Sequence, residues 1–472
     1  MLSREALYGR LAHSFGFTPT EGQATVLRHL AAFLLSQKPN PTYILRGYAG
    51  TGKTTLVTTL VKTLPQIGMK YVLMAPTGRA AKVISAYTRQ YATTIHKRIY
   101  QMMAFPDGSI RVGRALNKSE NTLFIIDEAS MIGEQREFGG ASLLDDVMSY
   151  VFSGKNCRLL LIGDTAQLPP VGSSESPALD CDNLKSEFPV TIASYELTEV
   201  MRQALESGIL YNATHLRELL SETRYEYDLP IFDLENFADT IRIEPELFEE
   251  LLHEAFDSGK DTDTVIVCKS NKRANLFNQA IRSRILNIEG EIATGDRLMI
   301  VKNNYFWANG HQNIRFIANG DMAEIRKIAH YEEMYGFHFA DVELSFVDYP
   351  DEPNLEVKII LETLNSDGPS LTEEESKRLH HAIEEDYMDI PNRRERYKET
   401  RKNPWFNALQ VKFAYALTCH KTQGGQWESV FIDSSFNLKD SLEQDDLRWL
   451  YTAVTRAQKH LYFVNFKDEF FH

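Results

Sequence analysis

Short apolar runs recur along this chain, and between them the apolar positions space out at threes and fours. Runs of the first kind read as buried strands and the second spacing as amphipathic helices. The first half holds four such strands: Thr42-Tyr43-Ile44-Leu45, Lys70 to Ala75, Thr122 to Ile126, and Cys157 to Ile162. Between and before them, helices are predicted at Val26, Leu27, Leu30, Phe33 and Leu34, at Thr55 to Leu64, at Arg79 to Tyr91 and at Leu143 to Phe152. Thr18 or Thr20 is placed to cap the earliest of these, and Pro39-Asn40-Pro41 ends it. Strands that alternate with helices predict a mostly parallel sheet, with functional residues just past the strand ends.

The second half repeats the pattern with an interruption. A long helical region is expected after Leu197, through Met201, Leu205, Leu216 and Leu219, before an acidic stretch broken at Pro230 and Pro245. Val265 to Cys268 reads as a strand and Asn271 to Ile285 as a helix, so a second α/β unit begins there. Gly295 to Val301 reads as a further strand. Residues 322–363 alternate like β structure, and residues 370–402 are highly charged and helical in character. The α/β pattern resumes at 409 and ends with strands Val430 to Asp433 and His460 to Val464. The predicted layout is a first unit over 1–200, a second over 201–321 and 409–472, and a small domain inserted at 322–408. Phe105-Pro106-Asp107-Gly108 is a strong turn signal, so a hairpin is predicted to project from 101–120 of the first unit.

Composition narrows the class. The chain has 472 residues, 43% of them hydrophobic and 25% charged, values normal for globular domains. A net charge of −14 argues against coating nucleic acid by bulk electrostatics, but not against a narrow basic groove on an acidic body. Cys157, Cys181, Cys268 and Cys419 are far apart and match no zinc spacing, which predicts buried free thiols in a reducing compartment. No N-terminal run resembles a signal peptide and no apolar stretch has membrane length, so a cytoplasmic setting without membrane partners is expected.

The chemistry starts at Gly47-Tyr48-Ala49-Gly50-Thr51-Gly52-Lys53-Thr54. Glycine, four residues and Gly-Lys-Thr between a strand and a helix is a phosphate loop. Its glycines let the backbone wrap closely around phosphates, and the helix N-terminus faces the anion. Lys53 would reach the terminal phosphates and Thr54 would hold Mg²⁺. Asp127-Glu128 ends a later strand. Hydrolysis needs an acid near the metal and a base for the attacking water, tasks that suit Asp127 and Glu128 in turn. Gln167, in Gly163 to Val171, is placed to meet both the terminal phosphate and the water. Arg202 and Arg456 are candidate stabilisers of charge on the transferring phosphoryl group, and would let nucleotide clamp two units together.

With these residues in order, the chain resembles a superfamily 1 helicase of the RecD/Dda-like branch, 1B. Gln23 matches the family's adenine-recognising glutamine, and Gly47 to Thr55 its first motif. Ala75 to Ala81, Thr94-Ile95-His96, Asp127 to Ser130 and Gly163 to Val171 follow in family order. So do the segments of Arg202 and Arg456, and His420-Lys421-Thr422-Gln423-Gly424 resembles the late motif that joins nucleotide to strand. The resemblance implies two RecA-like cores with ATP and Mg²⁺ between them. The nucleotide would meet Gln23, Gly47, Gly50, Thr51, Gly52, Lys53, Thr54, Thr55, Gln167, Arg202, Gly424 and Arg456. It also implies a pin hairpin in the first core with Phe105 as its wedge, and an SH3-like β-barrel with a helical projection in the second. Single-stranded DNA would meet Pro76, Thr77, His96, His420, Lys421 and Thr422, by phosphate positioning and not base readout. The expected function is 5′-to-3′ DNA unwinding by a monomer acting at single-strand/duplex junctions, beside single-strand-binding or replication proteins. An RNA helicase and an ATP-gated translocase without strand separation remain the alternatives.

Overall fold

The structure is a computed structural model that describes residues 2–104, 110–134, 141–200, 206–222, 224–256, 263–308, 314, 317–347, 349, 352–434 and 441–471. The first core is built on six parallel strands in the order Ala92–Thr94, Lys70–Ala75, Thr122–Ile126, Arg158–Gly163, Pro41–Gly47 and Thr191–Leu197. Side chains alternate across it: Tyr43 and Leu45 join one apolar cluster and Ile44 the other. Helices Lys53–Thr63 and Gly78–Thr88 cover the first face, and Leu143–Ser153 covers the second. Because both faces are covered, the inner strands are apolar over most of their length. The outer strand Thr191–Leu197 is only partly buried and carries no such signal. The helix expected after Leu197 runs over Gly208–Ser221.

A hairpin leaves the first core, pairing Tyr100–Ala104 antiparallel with Ile110–Arg114, where the pin was expected. Its proposed wedge, Phe105, lies outside the described residues, as does Arg202.

The second core is a five-stranded parallel sheet in the order Ala416–Thr418, Thr264–Cys268, Trp427–Asp433, Ala457–Val464 and Thr240–Arg242. Arg297–Ile300, Met322–Met334, Phe337–Phe346, Leu355–Ile360 and Leu409–Phe413 close into a small barrel. This corrects the expected boundary of 322–408. Arg297–Ile300 and Leu409–Phe413 pair with each other inside the barrel, so strands assigned to the core complete the insertion. The charged helices Glu373–Glu385 and Arg393–Thr400 lie between the last two barrel strands, and Leu379 and Ile383 pack on Phe337 and Phe339 of the barrel. The cysteines are unpaired; three are buried and Cys181 is half-buried.

The seam between core and barrel is polar but satisfied. Arg282 donates from Nε and Nη2 to the Asp296 carboxylate at 2.9 and 3.0 Å. The same carboxylate accepts the Tyr415 hydroxyl at 3.0 Å and the Ala293 N–H at 2.7 Å. Asn278 Nδ2 donates to the Phe413 and Ala416 carbonyls, and its Oδ1 accepts from the Tyr415 and Ala416 N–H groups, pinning the chain where it passes from barrel to core. Arg282 and Asp296 are both buried, so removing one partner strands the other charge. Asp296→Ala is expected to cost about 3–5 kcal/mol in chemical denaturation; a cost below about 1 kcal/mol would show that the pair does not hold this seam.

Candidate nucleotide and strand site

The phosphate loop runs from the strand Pro41–Gly47 into the helix Lys53–Thr63. Gly50 and Gly52 take φ of +75° and +89°, a region that side chains disfavour. A Cβ on Gly47 would stand 3.0 Å from Thr51 Oγ1 and 3.1 Å from Leu197 Cβ. The loop is braced from inside: Thr51 Oγ1 donates to the Tyr48 carbonyl at 2.8 Å. Lys53 Nζ donates to the Gly47 and Tyr48 carbonyls at 2.5 and 2.8 Å. Thr54 is exposed and Thr55 half-buried at the start of the helix.

Gln23 braces the loop from outside. Its Oε1 accepts the Thr20 N–H at 3.0 Å, completing a capping box, and its Nε2 donates to the Thr51 carbonyl at 3.0 Å. Only 1% of it is exposed, so both ends of the amide are engaged within the chain. The glutamine ties the helix Glu21–Leu34 to the phosphate loop.

The strand Thr122–Ile126 delivers Asp127 and Glu128 beside the loop. Asp127 accepts the Tyr87 hydroxyl and the Glu128 N–H, both at 2.9 Å. Glu128 has φ of +55°, a strained backbone for a residue with a side chain, and its Oε2 is buried without a partner. Burial pushes both carboxyls above the usual range. For Glu128 the main opposing influence is the Arg456 charge, and Lys53 acts on both. Asp164, at the end of Arg158–Gly163, is also pushed up by burial, against Lys53 and a hydrogen bond from Tyr451.

The second core closes onto this group. Tyr451, on helix Gln444–Val454, donates its hydroxyl to Asp164 Oδ2 at 2.7 Å and accepts the Ala49 N–H of the phosphate loop at 3.0 Å. Thr452 Oγ1 accepts the Leu168 N–H at 2.8 Å, and Gln423 Nε2 donates to the Leu168 carbonyl at 2.6 Å. Gln167 is therefore held by its neighbour, with its own Oε1 buried and unpartnered. Arg456 is 3% exposed and, among the described residues, bonds neutral acceptors: the carbonyls of Thr452 and Gly425, and Thr455 Oγ1. Gly424 takes φ of +71°, and a Cβ there would come within 2.9 Å of Ala80 Cβ and 3.1 Å of Thr77 Oγ1. Arg79 reaches back, bonding Asp263 at 2.7 Å and the Gln426 carbonyl at 2.5 Å while lying 3.9 Å over the Trp427 ring.

The residues expected to meet DNA fall less evenly. Thr77 caps helix Gly78–Thr88, its Oγ1 accepting the Ala80 N–H at 3.2 Å, and Pro76 is half-buried beside it. His96 is half-buried with its ring 5.6 Å from Tyr100. His420 is exposed, and Lys421 Nζ donates to Asn319 Oδ1 in the barrel at 3.3 Å. Thr422 is a correction: it is fully buried and its hydroxyl donates to the Cys419 carbonyl at 2.8 Å, so that group serves its own turn. Sequence reading missed Tyr451, Thr452, Tyr87 and Arg79 as site residues. The signal for Tyr451 and Thr452 was their place in the same segment as Arg456.

A family model for the AAA domain matches residues 18–222, and one for the UvrD-like helicase C-terminal domain matches residues 413–464. The ATP-dependent RecD2 DNA helicase of Deinococcus radiodurans is 31% identical over 194 residues, 41% of this chain and 23% of that protein. This chain thus spans about a quarter of its length. The ATP-dependent DNA helicase dda of Enterobacteria phage T4 is 24% identical over 302 residues, 60% of each chain. A Pif1 helicase from Bacteroides, solved in complex with ADP-AlF3 and ssDNA, aligns over 97% of this chain and 95% of its own, at 14% identity and a TM-score of 0.49.

Gly424 tests the contact between the cores. Gly424→Val adds a side chain where φ is positive and Ala80 and Thr77 block it. Small-angle scattering is expected to show a larger radius of gyration for this variant; an unchanged radius would mean that the cores do not meet there.

Proposed function

We propose that this chain, which carries the superfamily 1B helicase fold, is an ATP-driven motor that walks 5′ to 3′ on single-stranded DNA and opens the duplex ahead. One observation carries the reading above the others. Second-core groups Tyr451, Thr452, Gln423 and Arg456 gather on the phosphate loop and strand-end residues of the first core. A nucleotide held there is sandwiched, so its presence and its cleavage bear on how the cores sit.

Lys53 leaves its loop carbonyls for the terminal phosphates, and the N–H groups after Gly52 face the same anion. Thr54 and Asp127 would hold Mg²⁺. Asp127 is an acceptor-only carboxylate beside Lys53, and Thr54 an exposed hydroxyl, a donor set suited to a hard cation. The ion supplies charge neutralisation at the phosphates. Glu128, with a free buried oxygen, takes the proton of the attacking water, and a carboxyl raised by burial is the better base for it. Gln167 orients that water, and Arg456, joined by Arg202, meets the charge that develops on the phosphoryl oxygens. Loss of the terminal phosphate removes the group that Arg456 and Lys53 share, and the cores part.

The strand runs over Pro76, Thr77, His96, His420 and Lys421, with the hairpin at 100–114 beside it as the separating pin. The motor acts as a monomer at single-strand/duplex junctions, next to single-strand-binding or replication proteins, in the cytoplasm. Among the described residues, no helix is long and apolar enough to cross a membrane.

Two experiments test this reading. On duplexes with either a 5′ or a 3′ single-stranded tail, unwinding is expected only from the 5′ tail, with Lys53→Ala inactive on both. Unwinding from the 3′ tail alone, or full activity of Lys53→Ala, would contradict it. Burial lowers the Lys421 ammonium to about 8, so it is charged at neutral pH and loses its proton above that value. A phosphate favours the charged form, so affinity for an oligonucleotide is expected to fall as pH rises from 7.5 to 9.5, by at most about tenfold per pH unit. Lys421→Arg should flatten the profile; a parent profile that is already flat removes Lys421 from the strand path.

A further inference from the structure

Beside the phosphate loop lies a cavity of about 330 Å³, and of its lining residues the steps above use only Gln167. It is far larger than the ~10–15 Å³ that a single water needs. Its walls come from both cores: Arg46 before the loop, Ser130 after Asp127-Glu128, Gln167, and Arg448 of the second core. Ser130 and Gln167 are 1% and 7% exposed, and Ser130 Oγ and Gln167 Oε1 are buried without a hydrogen-bond partner. Arg46 Nε is sealed from solvent and likewise unpartnered. Arg448 Nη1 bonds the Ser174 carbonyl at 2.6 Å, a neutral acceptor. Neither arginine has an ion pair among the described residues. Unsatisfied buried polar groups are rare enough in folded chains to require a reason, and several around one cavity point to a polar occupant.

We propose that this cavity is the exit chamber for orthophosphate, with Arg46 and Arg448 as the groups that receive it. The proposal rests on the hydrolase reading above. In that reaction, water oxygen bonds to the terminal phosphorus as the bond to the ADP oxygen breaks, leaving ADP and orthophosphate. ADP still fills the loop. The way between the cores is closed by the Tyr451–Ala49 and Thr452–Leu168 bonds. The chamber adjoins Gln167 and Asp164 and offers the phosphate another way out. Guanidinium groups suit a phosphate because planar paired N–H groups match its oxygens.

The wall also carries carboxylates, whose charge opposes an anion, but among the described residues none pairs with either arginine. Asp164 is held by Tyr451 and the Ala166 N–H, Asp180 accepts the Asp182 and Asn183 N–H groups, and Glu196 accepts the Tyr48 hydroxyl. Together with the exposed Glu175 they weaken the hold on an anion, so the chamber passes phosphate on and does not store it. The Arg448–Ser174 bond joins the second core to the loop at the chamber wall, so parting of the cores also frees that wall.

The test compares cleavage, by rapid chemical quench, with phosphate release, by a fluorescent phosphate sensor, on the full chain with ATP, Mg²⁺ and an oligonucleotide. In Arg46→Ala and Arg448→Ala, the ratio of release rate to cleavage rate is expected to fall at least fivefold below that of the parent. Arg46→Lys, which keeps the charge, should recover most of that ratio. An unchanged ratio in both alanine variants, with the parent cleaving ATP, overturns the chamber alone. A parent that cleaves no ATP overturns the hydrolase reading and the chamber with it.

Discussion

One hydroxyl joins the two halves of this molecule. Tyr451 Oη accepts a phosphate-loop N–H and donates to Asp164, so a second-core side chain completes a first-core loop. The group is fully buried, and burial holds its proton well above the usual range, so it stays neutral and can serve both partners at once. Any change in the loop backbone therefore reaches the helix Gln444–Val454 directly. Arg456 follows that helix, and the lysine of the loop and the arginine of the second core act on the same carboxyl of Glu128.

Acids and bases share the cleft without pairing directly among the described residues. Three carboxyls, Asp127, Glu128 and Asp164, gather where burial disfavours their charged forms. Lys53 and Arg456 offset that cost, yet among the described residues each bonds neutral acceptors, Lys53 two loop carbonyls and Arg456 two carbonyls and a hydroxyl. Strain at Glu128 and its unpartnered oxygen belong to the same pattern: stability is given up locally to keep reactive groups free. Arg79, with its ion pair and its stacking on Trp427, holds the cores together at a distance from that site.

Much of this was legible in the sequence, and the exceptions have physical causes. The inner parallel strands, buried on both faces, announce themselves as apolar runs, and the phosphate loop as glycine spacing. Thr191–Leu197 was missed because an edge strand needs no such run. The barrel was placed too narrowly because Arg297–Ile300 and Leu409–Phe413 look like core strands; only their pairing with each other assigns them. Thr422 carries the right residue type in the right motif, but it is fully buried and its hydroxyl bonds the Cys419 carbonyl inside the fold. Tyr451 was hidden for the opposite reason, since a tyrosine on an apolar helix looks like core until a loop N–H is found 3.0 Å from its oxygen.

The most direct measurement is the distance between the cores through the nucleotide cycle. Fluorophores at the exposed positions Lys62 and His460 report it by energy transfer. A non-hydrolysable ATP analogue should bring the labels to their shortest separation, and ADP should lengthen it, in each case with an oligonucleotide bound. A separation that is the same with the analogue, with ADP and with neither would contradict an account in which nucleotide holds two cores together across a shared cleft.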